Sequence, residues 1–138
     1  IYILIGVSMM QKIRAWDKVG NEMINYIISI NFVFGYITFD TENVINKKRY
    51  FDDITIMQST GLHDDQGVEI FKGDIVKIIY DGKLFIGVVV YDLGEADFKA
   101  TNNREDYGNN FQYLTVGESI EVIGNVHQHP ELLEVSDE

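Results

Sequence analysis

The sequence predicts a mainly β chain of the α+β type. Its centre is a small antiparallel barrel, with an N-terminal β extension and a short C-terminal helix. Three observations lead there. Eight Tyr, eight Phe and one Trp make 12% of the 138 residues aromatic, and such side chains fit a pleated, half-buried surface. No long segment repeats its apolar residues with the 3.6-residue period of an amphipathic helix. Short β-rich runs joined by tight turns take its place, as in small barrels and sandwiches.

The elements follow in order. Residues 1–9 read as an upstream leader. Their apolar run, Ile1 to Val7, falls well short of the ~20 residues that span a bilayer, and Met9-Met10 follows at once. The other reading is an edge strand, which would pair with another subunit. Residues 10–50 form the N-terminal β region. Trp16 lies in an early strand, and residues 23–40 are dense in β-branched and aromatic side chains, with an interruption at Gly35. Asp40 to Tyr50, ending in Lys47-Lys48-Arg49, is polar and reads as a loop.

Residues 51–138 form the barrel and its helical turn. Ile54-Thr55-Ile56-Met57 alternates as a strand does, Asp64 to Gly67 is a turn, and Lys72-Gly73-Asp74 is a second. Ile75 to Tyr80 and Leu84 to Tyr91 flank Asp81-Gly82. Asp-Gly between two apolar runs is the strongest short-range hairpin signal, because a type I′ turn needs φ > 0 at both central residues. Residues 92–110, rich in Gly and Asn, read as a long mobile loop. Phe111 to Leu114 and Ile120 to Val126 are strands, and Pro130 opens a helical turn that ends near Glu134. Gly35 and Gly87 suggest bulges or close packing. The Gly73-Asp74-Ile75-Val76 opening, the hairpin and the Val-rich strand after it look like the centre of an SH3-like barrel.

Composition narrows the function classes. An apolar fraction of 46% and a charged fraction of 24% are those of a globular domain, not of a disordered tail, a collagen-like fibre or a multi-span membrane protein. The chain has no cysteine, which removes disulfides, thiolate chemistry and Cys-based zinc sites and fits a reducing bacterial cytoplasm. Nineteen Ile and a single Pro suggest an AT-rich bacterial or phage genome. The net charge is −11; residues 1–50 carry +2 and residues 51–138 carry −13. Nucleic-acid affinity comes largely from Lys and Arg on phosphates, so ordinary DNA or RNA binding is disfavoured. An acidic DNA mimic stays open, beside the plainer reading that the excess acid serves solubility.

Three blocks taken together resemble the YopX family of phage and prophage proteins. They are Lys12-Ile13-Arg14-Ala15-Trp16-Asp17-Lys18; Met57 to Asp64, continuing Gly67 to Val76; and Ile120 to Val126, closing with Pro130-Glu131-Leu132-Leu133. The resemblance runs from Met10 to Leu133. Ser59 stands where the family has an aromatic, and His129 where it has Asn before the Pro. The resemblance implies a phage or prophage origin, a mainly β fold with some helix, and a homo-oligomer. It implies no assigned activity.

The candidate interaction residues are Arg14, Trp16, Thr60, Gly61, Leu62 and Asp74. Trp and Arg are frequent interface anchors, although a large aromatic more often packs a core. The dense loop Thr60 to Gly67 lacks the ligand spacing of an EF-hand and the Gly-Lys-Ser/Thr ending of a P-loop. A turn whose Asp bonds its own backbone is the simpler reading. His127 and His129, with Glu121 and Glu131, are weak metal candidates: two imidazoles and a carboxylate can hold Zn or Fe, but Pro130 breaks the strand parity, and a solvated strand end explains them as well. No nucleophile elbow is present, and the 22 acids single out no catalytic pair. No cofactor and no catalytic residue is assigned.

The sequence therefore points to a non-enzymatic accessory protein of the bacterial cytoplasm. It would associate with itself or with a phage or host protein, away from membranes. The alternatives are a nucleic-acid-related module or DNA mimic and, last, a metal-dependent enzyme at His127 and His129.

Overall fold

The computed structural model describes residues 12–102 and 110–134. The reading of residues 1–9 as a leader falls outside them. The chain divides between Ser59 and Thr60 into two compact units.

In the first unit, β1 (Ile13–Asp17) pairs antiparallel with β2 (Glu22–Ile24) on one side and with the start of β6 (Ile54–His63) on the other, Ala15 facing Ile24 and Ile56. A second, three-stranded sheet has the order β3 (Ser29–Asn31), β4 (Tyr36–Phe39), β5 (Lys47–Tyr50). Alternation explains its two faces. Ile37 and Phe39 point inward to a core with Ala15, Ile24 and Ile54, while Ile27, Ile30 and Phe51 pack on its margin. On the opposite face Lys48 lies 4.2 Å from the centre of the Tyr36 ring, and Tyr36 meets Tyr50 edge to face. A one-turn 3-10 segment, Phe51–Asp53, leads into β6.

Two expectations change here. Lys47 to Tyr50 is a strand rather than loop: its residues pair one for one with β4, and Arg49 reaches Asp17. A polar sequence carries no apolar alternation, so the pairing partner decides the strand. The dense run from Met23 also breaks into β2 and β3, with residues 25–28 in neither. Gly35 closes the four-residue loop between β3 and β4.

The second unit is a five-stranded antiparallel sheet, β11-β10-β9-β8-β12, curled into a half-barrel. Its strands are β8 (Asp74–Tyr80), β9 (Lys83–Asp92), β10 (Asp97–Thr101), β11 (Phe111–Tyr113) and β12 (Ser119–Asn125). The end of β6 and β7 (Glu69–Phe71), neighbours in the sheet ordered β2-β1-β6-β7, fall in the same unit, and α1 (Glu131–Glu134) follows β12. Asp81 and Gly82 have φ of 52° and 72°, the left-handed pair a type I′ turn requires, and Tyr80 faces Lys83 across the two-residue loop. Ile70, Val76, Ile78, Val89, Ala100 and Leu114 form the core, with Phe85, Phe98, Ile120 and Val122 packed against it. A bulge between Val122 and Gly124 bends β12 on β8. Gly87 is a close approach, as expected: a Cβ there would lie 2.9 Å from the Thr101 backbone.

Residues 97–101 overturn the long loop expected over 92–110. They pair with β9 in full register, Asp97 with Asp92 and Thr101 with Val88. Polar Lys99 hid this strand. It is buried because two carboxylates and two rings surround its ammonium group.

Candidate functional site

Four polar clusters and one apolar segment stand out. In the first unit, Asp17 is fully buried at the end of β1. Its Oδ1 accepts the Val19 N–H at 3.0 Å and Arg49 Nε–H at 2.9 Å. Burial pushes its carboxyl up, but the donors of Gly20, Arg49 and Val19 outweigh that and hold it below the usual value.

In the second unit, the Asp64 carboxylate organises the turn that follows β6. Its Oδ1 accepts the N–H groups of Gln66 (2.9 Å) and Val68 (2.8 Å), and its Oδ2 accepts that of Val122 (3.0 Å). Asp65 accepts the Ile120 N–H at 3.1 Å and donates its own N–H to the Ile120 carbonyl at 3.1 Å. β12 is the last strand of its sheet, so the two acids satisfy backbone donors on an otherwise open edge. Burial raises the Asp64 pKa, and the three backbone donors more than reverse it. Its tasks are those of a turn and an edge cover.

The third cluster is Lys99. Its Nζ donates to Asp92 Oδ2 at 2.7 Å and to Glu95, and sits 4.1 Å and 5.2 Å from the ring centres of Phe111 and Tyr113. Tyr113 donates its hydroxyl to Glu95 Oε2 at 3.0 Å. The hydrogen bond to Asp92 and then that to Glu95 raise the Lys99 pKa above the lysine range, and the same bonds lower both carboxyls. The Glu95 bond pushes the Tyr113 hydroxyl up. Bonded to two carboxylates and lying over two rings, this lysine fastens β11 to the β9–β10 hairpin. Sequence reasoning missed it; Asp-x-x-Glu-x-x-x-Lys across a turn was the signal available.

The last polar cluster surrounds Asn125 and includes His127 and His129. Asn125 Oδ1 accepts the N–H groups of His127 (3.0 Å) and Gln128 (2.9 Å), and His129 Nδ1 accepts the Asn125 N–H at 3.2 Å. The His129 ring lies on Gly124, where a Cβ would come within 2.7 Å of Nδ1. Glu121 pairs with Lys77 at 3.4 Å. Among the described residues no three His, Asp or Glu side chains gather as metal ligands.

The candidate interaction residues fall in different places. Arg14 is half-buried on β1, and Trp16 is buried there. Thr60 Oγ1 donates to the Ile70 carbonyl at 2.8 Å, and Asp74 Oδ2 accepts the Phe71 N–H at 2.8 Å, so both side chains tie β7 to its neighbours. Gly61 and Leu62 are exposed beside Thr60. Arg14 and Trp16 belong to the first unit, and Thr60, Gly61, Leu62 and Asp74 to the second.

The apolar segment runs from Tyr26 through β3 into the turn at Phe32–Phe34 that leads to β4. Tyr26, Ile28, Phe32, Val33 and Phe34 are exposed. From Met23 to Phe39 there is no Asp, Glu, Lys, Arg or His. The sequence expectations read this run as strand and did not ask which of its side chains face water.

Comparison with known proteins places the chain. The YopX protein family model matches residues 12–134. The crystal structure of protein EF1440 from Enterococcus faecalis is similar, with a TM-score of 0.58 and 26% identity, over 90% of this chain and 98% of that one. The YopX protein from Bacillus subtilis aligns with a TM-score of 0.48 and 22% identity, over 87% of this chain and 95% of that one. No curated protein matches. No helix among the described residues is long and apolar enough to cross a membrane. With the family model spanning nearly all the described residues, the chain belongs to the YopX family.

Proposed function

We propose that this is a non-enzymatic accessory protein of phage or prophage origin. It acts in the bacterial cytoplasm as a homo-oligomeric protein-interaction module. One observation carries the reading. Tyr26 (87%), Ile28 (54%), Phe32 (80%), Val33 (85%) and Phe34 (73%) are all exposed along one segment. A fully exposed aromatic presents about 150–250 Å², so Tyr26, Phe32 and Phe34 alone expose roughly 360–600 Å², comparable in area to the ~300–600 Å² of the largest patch on a typical monomer. A stable interface takes about 800 Å² from each partner.

Sedimentation velocity over a concentration series tests this. The reading expects a species heavier than the 15.8 kDa chain. A 15.8 kDa species at every concentration overturns it. A protein that shifts DNA on a low-salt gel, or displaces DNA from a nuclease, would replace it with the nucleic-acid-related reading.

A further inference from the structure

We infer that Asp81 is a site of spontaneous covalent modification, where the chain rearranges its own backbone from aspartate to isoaspartate. The Gly82 backbone nitrogen attacks the side-chain Cγ of Asp81. The new N–Cγ bond closes a succinimide ring, and one water leaves. A second water then adds to a ring carbonyl. Where it breaks the bond between the Gly82 nitrogen and the former backbone carbonyl carbon, the main chain runs through Cβ and Cγ, and that carbon becomes a free carboxylate. Water lost equals water gained, so no oxidant, metal or enzyme is needed.

Three observations select this residue. The attacking nitrogen must be unobstructed, and glycine alone has no Cβ beside it. Asp81-Gly82 is the single Asp-Gly step of the sequence, which has no Asn-Gly step. The carboxylate is also free. Asp81 is exposed, and no hydrogen bond or ion pair among the described residues engages its side chain. Turn aspartates elsewhere in this unit are occupied: Asp64 accepts three backbone N–H groups, Asp92 accepts from Gly94 and Lys99, and Asp97 accepts from Phe98. Finally, the hairpin tip has room to move. Tyr80 to Leu84 are all exposed, and a Cβ on Gly82 would meet nothing within 4 Å. Such tips open locally at little cost, and opening lets the nitrogen turn onto Cγ.

The product cannot keep the turn. A type I′ loop needs two residues with φ > 0, which Asp81 (52°) and Gly82 (72°) supply. That loop sets the pairing of Tyr80 with Lys83 and of Ile79 with Leu84. Isoaspartate adds one carbon to the main chain between residues 81 and 82. The loop is then too long for its register, and hairpin register is fixed by loop length. The end of the β8–β9 hairpin must open or shift. The modification thus marks the age of the protein at one point, whether or not the chain associates with itself.

The test ages the purified wild-type protein for weeks at neutral pH in water enriched in heavy oxygen, then digests it with trypsin in ordinary water. Cuts after Lys77 and Lys83 release the peptide Ile78–Lys83. Chromatography with mass spectrometry should show an isomer of this peptide whose fragments carry the heavy oxygen at residue 81. It should accumulate several-fold faster than an isomer at any other aspartate. Deuterium uptake of the aged, folded protein is then read on peptides that span residue 81, with isomer and unmodified form separated. The isomer should exchange several-fold faster at Tyr80 and Lys83. An Ile78–Lys83 peptide that stays unlabelled, or faster isomerisation at another aspartate, overturns the inference. A labelled isomer that exchanges no faster than the unmodified form overturns the loss of the turn.

Discussion

Replacing Asp64 with Asn changes almost no volume and removes one acceptor. In the wild type, Oδ1 serves Gln66 and Val68 while Oδ2 serves Val122. The amide keeps one oxygen. If that oxygen stays on the turn, the new NH2 group faces the Val122 N–H, donor against donor. Gln66 and Val68 are exposed and can turn to water, whereas Val122 is half-buried and packs on the core. The principal loss is therefore one charge-assisted bond, about 2 kcal/mol, or about 30-fold in the folding constant. For a chain of 138 residues that is about 7 °C in Tm.

The pH dependence has a fixed sign. The folded Asp64 pKa lies below its ordinary value of 3.8. Its contribution is complete above that value and disappears as the pH falls through the folded pKa. The gap between wild type and D64N should be full at pH 7 and close in strong acid. Urea unfolding at pH 7 and at pH 2.5–3 measures both. A D64N penalty below about 0.5 kcal/mol at pH 7, the scatter of ordinary surface substitutions, would refute the claim that Asp64 holds the β12 edge.

Three further outcomes follow. G82A meets no atom within 4 Å but keeps φ at 72°, so thermal melts should show a loss of about 1–2 kcal/mol from the left-handed backbone alone. G124A pushes a methyl into the His129 ring; it should cost about 1–3 kcal/mol, and a double-mutant cycle with H129A should recover at least about 0.5 kcal/mol of that. K99M keeps the buried stem but leaves Asp92 and Glu95 without their cation. It should lower Tm by several degrees at pH 7, with the difference shrinking in acid as the depressed carboxyls take up protons.

Local chemistry was the readable part of this fold. Asp81-Gly82 specifies its turn from two residues, and the Val-rich strands beside it carry their own propensity. Lys47 to Tyr50 and Asp97 to Thr101 could not be read that way. The first becomes a strand because β4 pairs with it, and the second because the Lys99 charge is matched by Asp92, Glu95 and two rings. Asp64 was legible as a turn residue, but its bond to Val122, 58 residues away, has no local signature. For the candidate surface, the uncharged run from Met23 to Phe39 was visible throughout. Which of its side chains face water depends on how β3 and the turn after it pack against β4, which the sequence alone does not show.

The most direct test of self-association through the exposed apolar segment is hydrogen exchange of the wild-type protein at low and high concentration, read over Ser29 to Phe34. The account predicts amides in this segment that exchange at least tenfold more slowly at the concentration where the protein is assembled, while the Ile75–Ile78 amides are unchanged. Exchange over Ser29 to Phe34 that is equally fast in the dilute and the assembled protein would contradict it.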